Sequence, residues 1–215
     1  MLKVGLLGGT FDPVHSGHLQ LGYAVLDRYD FNKIILIPSA RPPHKNEAIV
    51  CNIKHRLQML KLGIGHKRSF EISEIEISRN KASYTIETLA ELKQQSGEET
   101  QFYFIIGYDA ISEIETWYRW EELLTSTNFI VALRPGFSVK EIEQMLERNG
   151  FTPDRKNKDR WIQRKRLNEI IILAEEIVDI SSTDIRARIS SGQAWNNLVP
   201  PPVEEYIIKH QLYTR

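Results

Sequence analysis

An apolar run at residues 2–7 leads directly into the stretch GGTFDPVHSGH at residues 8–18, and this junction strongly constrains the fold. A short apolar run that ends in glycines and continues into a polar segment is typical of a buried strand, a tight turn and a helix start. The first amide hydrogens of a helix lack intrahelical partners and carry the positive end of the helix dipole, so they attract phosphate. We therefore predict a strand, an anion-binding turn and a helix at about 17–29.

His15 and His18 lie at this helix start. A neutral imidazole donates one hydrogen bond and an imidazolium donates two, so the pair can follow charge that develops on a transferring phosphoryl group. The alternative is that they are two surface histidines beside an ordinary turn. We disfavour it because all eleven residues of the stretch suit phosphate binding. The spacing is not that of a zinc-binding helix, and the glycines form neither a dinucleotide fingerprint nor a P-loop.

The composition is that of an ordinary globular chain. Its 215 residues, 41% hydrophobic and 26% charged, suit one α/β domain over residues 1–215. Lys plus Arg and Asp plus Glu number 28 each, so no global field attracts nucleic acid or an anionic membrane. The single cysteine, Cys51, excludes an internal disulfide framework and a thiolate-built zinc site. Because no secretory pattern or membrane-spanning run is present, we expect a cytoplasmic protein.

Apolar runs and helical patterns alternate along the rest of the chain. We predict strands at 33–37, 102–106, 129–133, 170–173 and 177–180, one or two short strands at 70–77, and helices at 53–63, 85–95, 139–150 and 203–210. The basic segment 152–166 is interpreted as a solvated surface loop, with a phosphate-facing or subunit-contact role as the alternatives. Alternation of this kind predicts an α/β, Rossmann-like, doubly wound fold, in which a mainly parallel sheet is flanked by helices.

Further motifs follow the predicted strands. They are PPHK at 42–45, SYTIETL at 83–89, IGYD at 106–109 with Trp117, RPG at 134–136 and ISSTDIR at 180–186. With GGTFDPVHSGH they make nearly the whole chain resemble the nucleotidyltransferases that carry a T/H-x-G-H signature on a Rossmann-like sheet. Among these it is most similar to the bacterial nicotinate-nucleotide adenylyltransferases. The first and last motifs mark the superfamily, and the middle ones mark this member.

The resemblance implies adenylyl transfer from ATP to nicotinate mononucleotide, which gives nicotinate adenine dinucleotide and pyrophosphate in NAD biosynthesis. The attack would be direct and in line, without a covalent enzyme intermediate. Mg²⁺ would come with ATP, and no metal held by the protein alone is expected. A related adenylyl- or cytidylyltransferase with another phosphorylated acceptor, or a catalytically silent nucleotide-binding module, are the alternatives. No nucleic acid or membrane partner is expected, and a homo-oligomer stays open.

The resemblance also assigns residues to roles. The catalytic set is His15, His18, Lys45 and Arg186. The set expected to bind ATP is Gly8, Gly9, Thr10, Phe11, His15, His18, Gly107, Asp109, Arg134, Ile180, Ser182, Thr183 and Arg186. The set expected to bind the acceptor is Thr10, Lys45, Ser83, Tyr84, Thr85 and Trp117. Residues 180–215 would thus form a phosphate-binding and helical C-terminal portion.

The residue types suit these roles. A lysine ammonium suits a phosphate oxygen, and a helix start at 181–183 offers hydroxyls and amides to phosphates. Trp117 offers a flat apolar face for a pyridine ring, although simple packing is the alternative. Tyr108 stands where the family usually has a small residue, so its ring either narrows the ribose pocket beside Asp109 or points away from it.

Overall fold

The computed structural model describes residues 1–40, 50–79, 83–97, 99–133, 139–163, 165, 168–173, 178 and 180–214. The proposed phosphate ligand Lys45 and the proposed adenosine-side residue Arg134 lie outside the described residues. The other predicted site residues all lie inside them.

Among the described residues, the strands join into one eight-stranded sheet, in the order β3-β2-β1-β4-β5-β8-β7-β6. They are β1 (Leu2–Gly9), β2 (Lys33–Pro38), β3 (Phe70–Ile72), β4 (Thr100–Gly107), β5 (Asn128–Ala132), β6 (Thr152–Pro153), β7 (Arg160–Gln163) and β8 (Asn168–Leu173). The strands from β3 to β8 along this order are parallel, and β7 and β6 are antiparallel to their neighbours. The direction of winding reverses between β1 and β4, which confirms the predicted doubly wound, Rossmann-like fold.

Helices cover both faces of the sheet. They are α1 (Ser16–Tyr29), α2 (Ile53–Ile64), α3 (Ile75–Ser78), α4 (Thr85–Gln95), α5 (Tyr108–Ser112), α6 (Trp120–Ser126), α7 (Val139–Arg148), α8 (Ser182–Ser190) and α9 (Pro201–Lys209). Within the described ranges, no helix is long and apolar enough to cross a membrane.

The central strands are apolar throughout because both of their faces are buried. In β4, Phe102, Phe104 and Ile106 belong to the core under α4 to α7, whereas Tyr103 and Ile105 belong to the core under α1, α2, α8 and α9. Successive side chains of a strand point to opposite faces, so one continuous apolar run supplies both cores. The ends of β1 and β4 lie between these two layers of helices, near the middle of the strand order.

Two of the strand predictions were wrong in part. The strand predicted within 70–77 ends at Ile72, and α3 follows, because a short alternating apolar pattern does not distinguish a strand from a buried helical turn. In the strand predicted at 177–180, the described Val178 and Ile180 lie outside any strand. Both edges of β8 are already paired, with β5 and β7, so no edge is left for a further strand there.

The interpretation of 152–166 as a solvated loop was wrong in part, because residues 152–153 and 160–163 form strands, whereas residues 155–158 between them are exposed. Strands β6 and β7 form an antiparallel hairpin, and Trp161 of β7 pairs with Ile170 of β8. Trp161 is only 4% exposed and belongs to the same core cluster as Phe151 and Ile170. The basic residues around Trp161 make the segment look like a solvated loop in the sequence, whereas the buried Trp161 side chain attaches the hairpin to the sheet.

Replacing this anchor tests the hairpin. We expect Trp161→Ala to lower the free energy of unfolding by about 3 kcal/mol, because truncating a buried aromatic leaves a cavity. Chemical denaturation measures the change, and Lys158→Ala, at an exposed position of the same hairpin, should stay within about 0.5 kcal/mol of wild type. Equally small changes in the free energy of unfolding of both variants would contradict the hairpin and favour a solvated loop.

Candidate active site

A cavity of about 890 Å³ opens beyond the carboxyl ends of β1 and β4, where the winding of the sheet reverses. Its size suits a ligand as large as a nucleotide. The predicted site residues that line it are Gly8, Gly9, Thr10, His15, His18, Ser83, Tyr84, Thr85, Gly107, Trp117, Ile180, Ser182 and Thr183. Residues from the starts of α1, α4 and α8 therefore meet in one crevice.

Three of the described site residues do not line this cavity. Phe11 is 1% exposed, and its ring stands edge-on to that of His18 with the centroids 4.9 Å apart. Asp109 is exposed in the first turn of α5, whose N-cap is Gly107. Arg186 donates from Nη1 to the carbonyl oxygen of Asp12 at 2.7 Å.

The two histidines form a stacked pair at the start of α1. Their ring centroids lie 3.6 Å apart, and the backbone N–H of His15 donates to Nδ1 of His18 at 3.2 Å. A nitrogen that accepts a hydrogen bond carries no proton, so the neutral ring of His18 carries its proton on Nε2. The backbone thus prepares His18 as a hydrogen-bond donor from Nε2.

Glycines let neighbouring side chains and backbone pack closely around the crevice. A Cβ on Gly8 would lie 3.2 Å from the ring of Phe104, and one on Gly9 would lie 3.1 Å from the ring of Phe11. A Cβ on Gly17 would lie 3.2 Å from the carbonyl oxygen of Val178. The glycines therefore make room for the rings of Phe104 and Phe11, and Gly17 lets α1 approach Val178, which follows β8.

A buried arginine that sequence reasoning missed holds the loops of this crevice. Arg56 of α2 is 2% exposed and donates to the carbonyl oxygens of Thr10 and Ser39 at 2.8 Å and of Cys51 at 3.0 Å. Burial lowers the pKa of Arg56, while the charge of Asp12 opposes this effect. A signal existed in the sequence, since Arg56 is spaced by three and four residues from Met59 and Leu60 on the apolar face of its helix.

The start of α8 is fastened to the loop that carries the histidines. The Ser182 hydroxyl donates to the carbonyl oxygen of Pro13 at 3.0 Å, and Ser181 caps the helix by accepting from the backbone N–H of Asp184 at 3.0 Å. Arg186 also donates from Nη2 to the Thr183 hydroxyl at 3.3 Å. Two helix starts, each suited to an anion, therefore lie on the same side of the cavity.

At α4 the cavity combines a third helix start with aromatic rings. Tyr84 is the N-cap of α4, and its side chain does not cap the helix. Trp117 is half-buried, edge-on to Phe104 with the centroids 6.3 Å apart, and Tyr118 lies with its ring 4.5 Å from that of Tyr84. Tyr118 also lines the cavity, although the sequence did not single it out. A flat apolar ring that carries a carboxylate suits this end.

Tyr108, at the start of α5, lies in the core. Its ring is 5% exposed within the core, and its hydroxyl donates to Glu141 of α7 at 2.5 Å. It points away from the cavity, so it does not narrow the space in front of Gly107.

Glu76 is a second buried ionisable residue that the sequence did not single out. It lines the cavity from α3, is 8% exposed and accepts a hydrogen bond from the Thr88 hydroxyl at 2.9 Å. Burial raises the pKa of Glu76, and the Thr88 hydroxyl and the charge of Arg79 counteract this in part. Within the described ranges, no group of three or more His, Cys, Asp or Glu side chains is arranged to hold a metal ion.

Known proteins resemble this chain along most of its length. The cytidylyltransferase-like family model matches residues 6–188. A Thermoanaerobacter protein named probable nicotinate-nucleotide adenylyltransferase is 40% identical over 214 residues, covering 100% of this chain and 95% of the relative. One of the same name from Moorella thermoacetica is 41% identical over 211 residues, with 98% and 91% covered. The structure of Plasmodium falciparum nicotinic acid mononucleotide adenylyltransferase complexed with NaAD matches in fold, with a TM-score of 0.77 at 21% identity and 99% and 98% coverage.

The buried Glu76 carboxyl makes stability depend on pH. Its pKa is raised above the ordinary value of 4.5, so folding stability falls as the pH rises from about 4.5 through the folded-state pKa. Glu76→Gln keeps an acceptor for Thr88 and cannot ionise, so we expect its Tm at pH 8 to exceed that of wild type by about 2 °C. The difference should shrink towards zero below pH 4.5.

Thermal unfolding followed by circular dichroism across this pH range measures the effect. Glu74→Gln is the control, because Glu74 is exposed and its ion pair with Lys61, at 3.7 Å, lies at the surface. A Glu76→Gln difference that did not change with pH would rule out ionisation as its cause.

Proposed function

The chain belongs to the cytidylyltransferase-like family, and from this we propose that it transfers the adenylyl group of ATP to nicotinate mononucleotide. The products would be nicotinate adenine dinucleotide and pyrophosphate, and the reaction would be a step of NAD biosynthesis. One cavity joins the phosphate-suited starts of α1 and α8 to the aromatic start of α4, and this arrangement supports the transfer. Relatives that carry the corresponding name match the chain over almost its full length.

The chemistry needs alignment more than a nucleophile of the protein. An oxygen of the acceptor's phosphate attacks the α-phosphorus of ATP, and the bond from that phosphorus to the departing pyrophosphate breaks. A phosphate monoester is already mostly ionised near neutral pH, so it needs little help from a base. The site must instead hold two anions in line and offset their repulsion, which hydrogen-bond donors and helix starts can do.

The histidine pair would act at the reacting phosphorus. His18, with its proton on Nε2, would donate to an oxygen of the α-phosphate, and His15 at the N-cap of α1 would support it from the stacked position. The charge on these oxygens grows in the transition state, so donors that are already oriented lower the barrier without reorganising. The backbone that leads to these histidines would lie beside the nucleotide at Gly8, Gly9 and Thr10.

The departing pyrophosphate would lie against α8. The helix start at Ser182 and Thr183 offers amides and a hydroxyl, with Ile180 beside the nucleotide, and Arg186 would add positive charge behind them. Lys45, on the acceptor phosphate, and Arg134, on the adenosine side, keep the roles that the resemblance implies. Asp109, which is exposed, would reach the ribose hydroxyls together with Gly107.

The acceptor would enter at α4. Its pyridine ring would lie against Trp117, and its carboxylate would meet the helix start at Ser83, Tyr84 and Thr85. An amide in place of that carboxylate would lose the attraction of the helix start, so the acid should be preferred.

We assign Mg²⁺ to the triphosphate rather than to the protein. The donors that face the phosphate positions are imidazoles, hydroxyls and backbone amides, which bind phosphate oxygens directly, whereas Mg²⁺ prefers carboxylate, phosphate and water oxygens. Bound to ATP, Mg²⁺ supplies neutralisation of the triphosphate charge.

Initial rates of pyrophosphate release test the proposed function. With Mg-ATP, we expect nicotinate mononucleotide to be used at least about tenfold better, in kcat/KM, than nicotinamide mononucleotide or phosphopantetheine, since only the first presents a carboxylate to α4. A preference for another acceptor would support the phosphate chemistry but overturn the assignment of Tyr84, Thr85 and Trp117 to nicotinate binding. Silence with all three would overturn the proposed activity.

The role of His18 has its own test. We expect His18→Ala to lower kcat on the order of 10²-fold or more, with little change in KM, because a donor to the transition state is lost. His66→Ala is the control, since His66 is exposed on another part of the surface and should leave kcat unchanged. A folded His18→Ala protein with the kcat of wild type would exclude His18 from the reaction.

A further inference from the structure

The chain's last turn reaches the loop that carries the histidines. The Tyr213 hydroxyl donates to Oδ1 of Asp12 at 2.6 Å, across 201 positions of sequence. Asp12 is 1% exposed, and its other carboxylate oxygen accepts from the backbone N–H of Cys51 at 3.2 Å. A buried carboxylate needs such donors, because without them it would be stranded away from water.

Asp12 passes this restraint on to the phosphate side of the cavity. Its carbonyl oxygen accepts from Nη1 of Arg186 at 2.7 Å, and its carboxylate lies 3.9 Å from the same nitrogen. The next residue, Pro13, accepts from the Ser182 hydroxyl, and His15 follows at the start of α1. The loop between β1 and α1 is therefore held from one side by Tyr213 and from the other by α8.

The backbone of the chain's end is shaped for this contact. Gln211 and Tyr213 have φ angles of 50° and 64°, a left-handed conformation that is unfavourable for bulky side chains. The Tyr213 side chain packs against the core under α1, α2, α8 and α9. Burial and the neighbouring Asp12 carboxylate raise the pKa of Tyr213 far above its usual range, so its hydroxyl stays protonated and remains a donor.

We propose that Tyr213 is a positioning residue for the transfer reaction, because its hydrogen bond to Asp12 sets the loop on which Arg186 and the histidine pair depend. The inference rests on the proposed function. Tyr213 itself is not in the cavity lining, so it acts through Asp12 and not on the substrates. The phosphate side depends on this contact, whereas the aromatic end at α4 does not touch it.

The test compares two tyrosines of the same C-terminal region. Tyr213→Phe removes the hydroxyl that bonds Asp12, and Tyr206→Phe removes one that bonds Nδ1 of His55 at 2.9 Å on α2. We expect Tyr213→Phe to lower kcat about tenfold and to raise the KM for ATP severalfold, with the KM for nicotinate mononucleotide unchanged. Tyr206→Phe should leave all three constants at wild-type values, although it also loses a hydrogen bond. The Tm of Tyr206→Phe should fall less than that of Tyr213→Phe, because only Tyr213 donates to a buried carboxylate.

A second readout does not depend on turnover. In the full-length protein without substrates, amide hydrogen exchange over residues 10–18 should be faster in Tyr213→Phe than in wild type or Tyr206→Phe. If wild type is inert with every acceptor, the proposed function fails, and the exchange then decides whether the Tyr213 hydroxyl holds this loop. Unchanged exchange in Tyr213→Phe, or equal effects of the two substitutions on kcat, would overturn the inference.

Discussion

The guanidinium of Arg56 is the interaction on which the arrangement of the crevice depends. A buried cation is tolerated only when its donors are used, and Arg56 directs its own to carbonyl oxygens of three separate segments. One follows β1, one follows β2 and one precedes α2. If the cation were removed, these carbonyls would lose buried partners together, and the loops that follow two neighbouring parallel strands would no longer be tied to each other.

The sheet explains why so small a set of contacts is enough. Between β1 and β4 the winding reverses, so the connections leave towards opposite faces and open a crevice at their carboxyl ends. Three contacts hold the loop between β1 and α1 at this crevice. Arg56 supplies one for the loop after β1, Ser182 supplies one from α8, and Tyr213 supplies one from the end of the chain.

The predictable part of the molecule is the part encoded by neighbouring residues. The parallel strands and most helices follow from apolar periodicity, and the histidine pair follows from one continuous motif. Trp161 was misjudged because its basic neighbours conceal an aromatic residue whose partner, Ile170, belongs to another strand. Glu76 and Tyr118 escaped notice for a related reason, since a lone acid or tyrosine has no local pattern that places it in a cavity.

By itself, the sequence determined the long parallel strands and most of the helices, the phosphate-suited turn at residues 8–18 and the resemblance that assigns an adenylyl transfer. These features depend on side-chain periodicity and on motifs of consecutive residues, because the backbone geometry of a strand or helix fixes which nearby residues share a face. Only the tertiary structure decided that Tyr108 points into the core, that Arg56 is buried and that Tyr213 reaches Asp12. Those outcomes join residues far apart in the chain, and they are settled by which buried polar groups find partners once the sheet has formed.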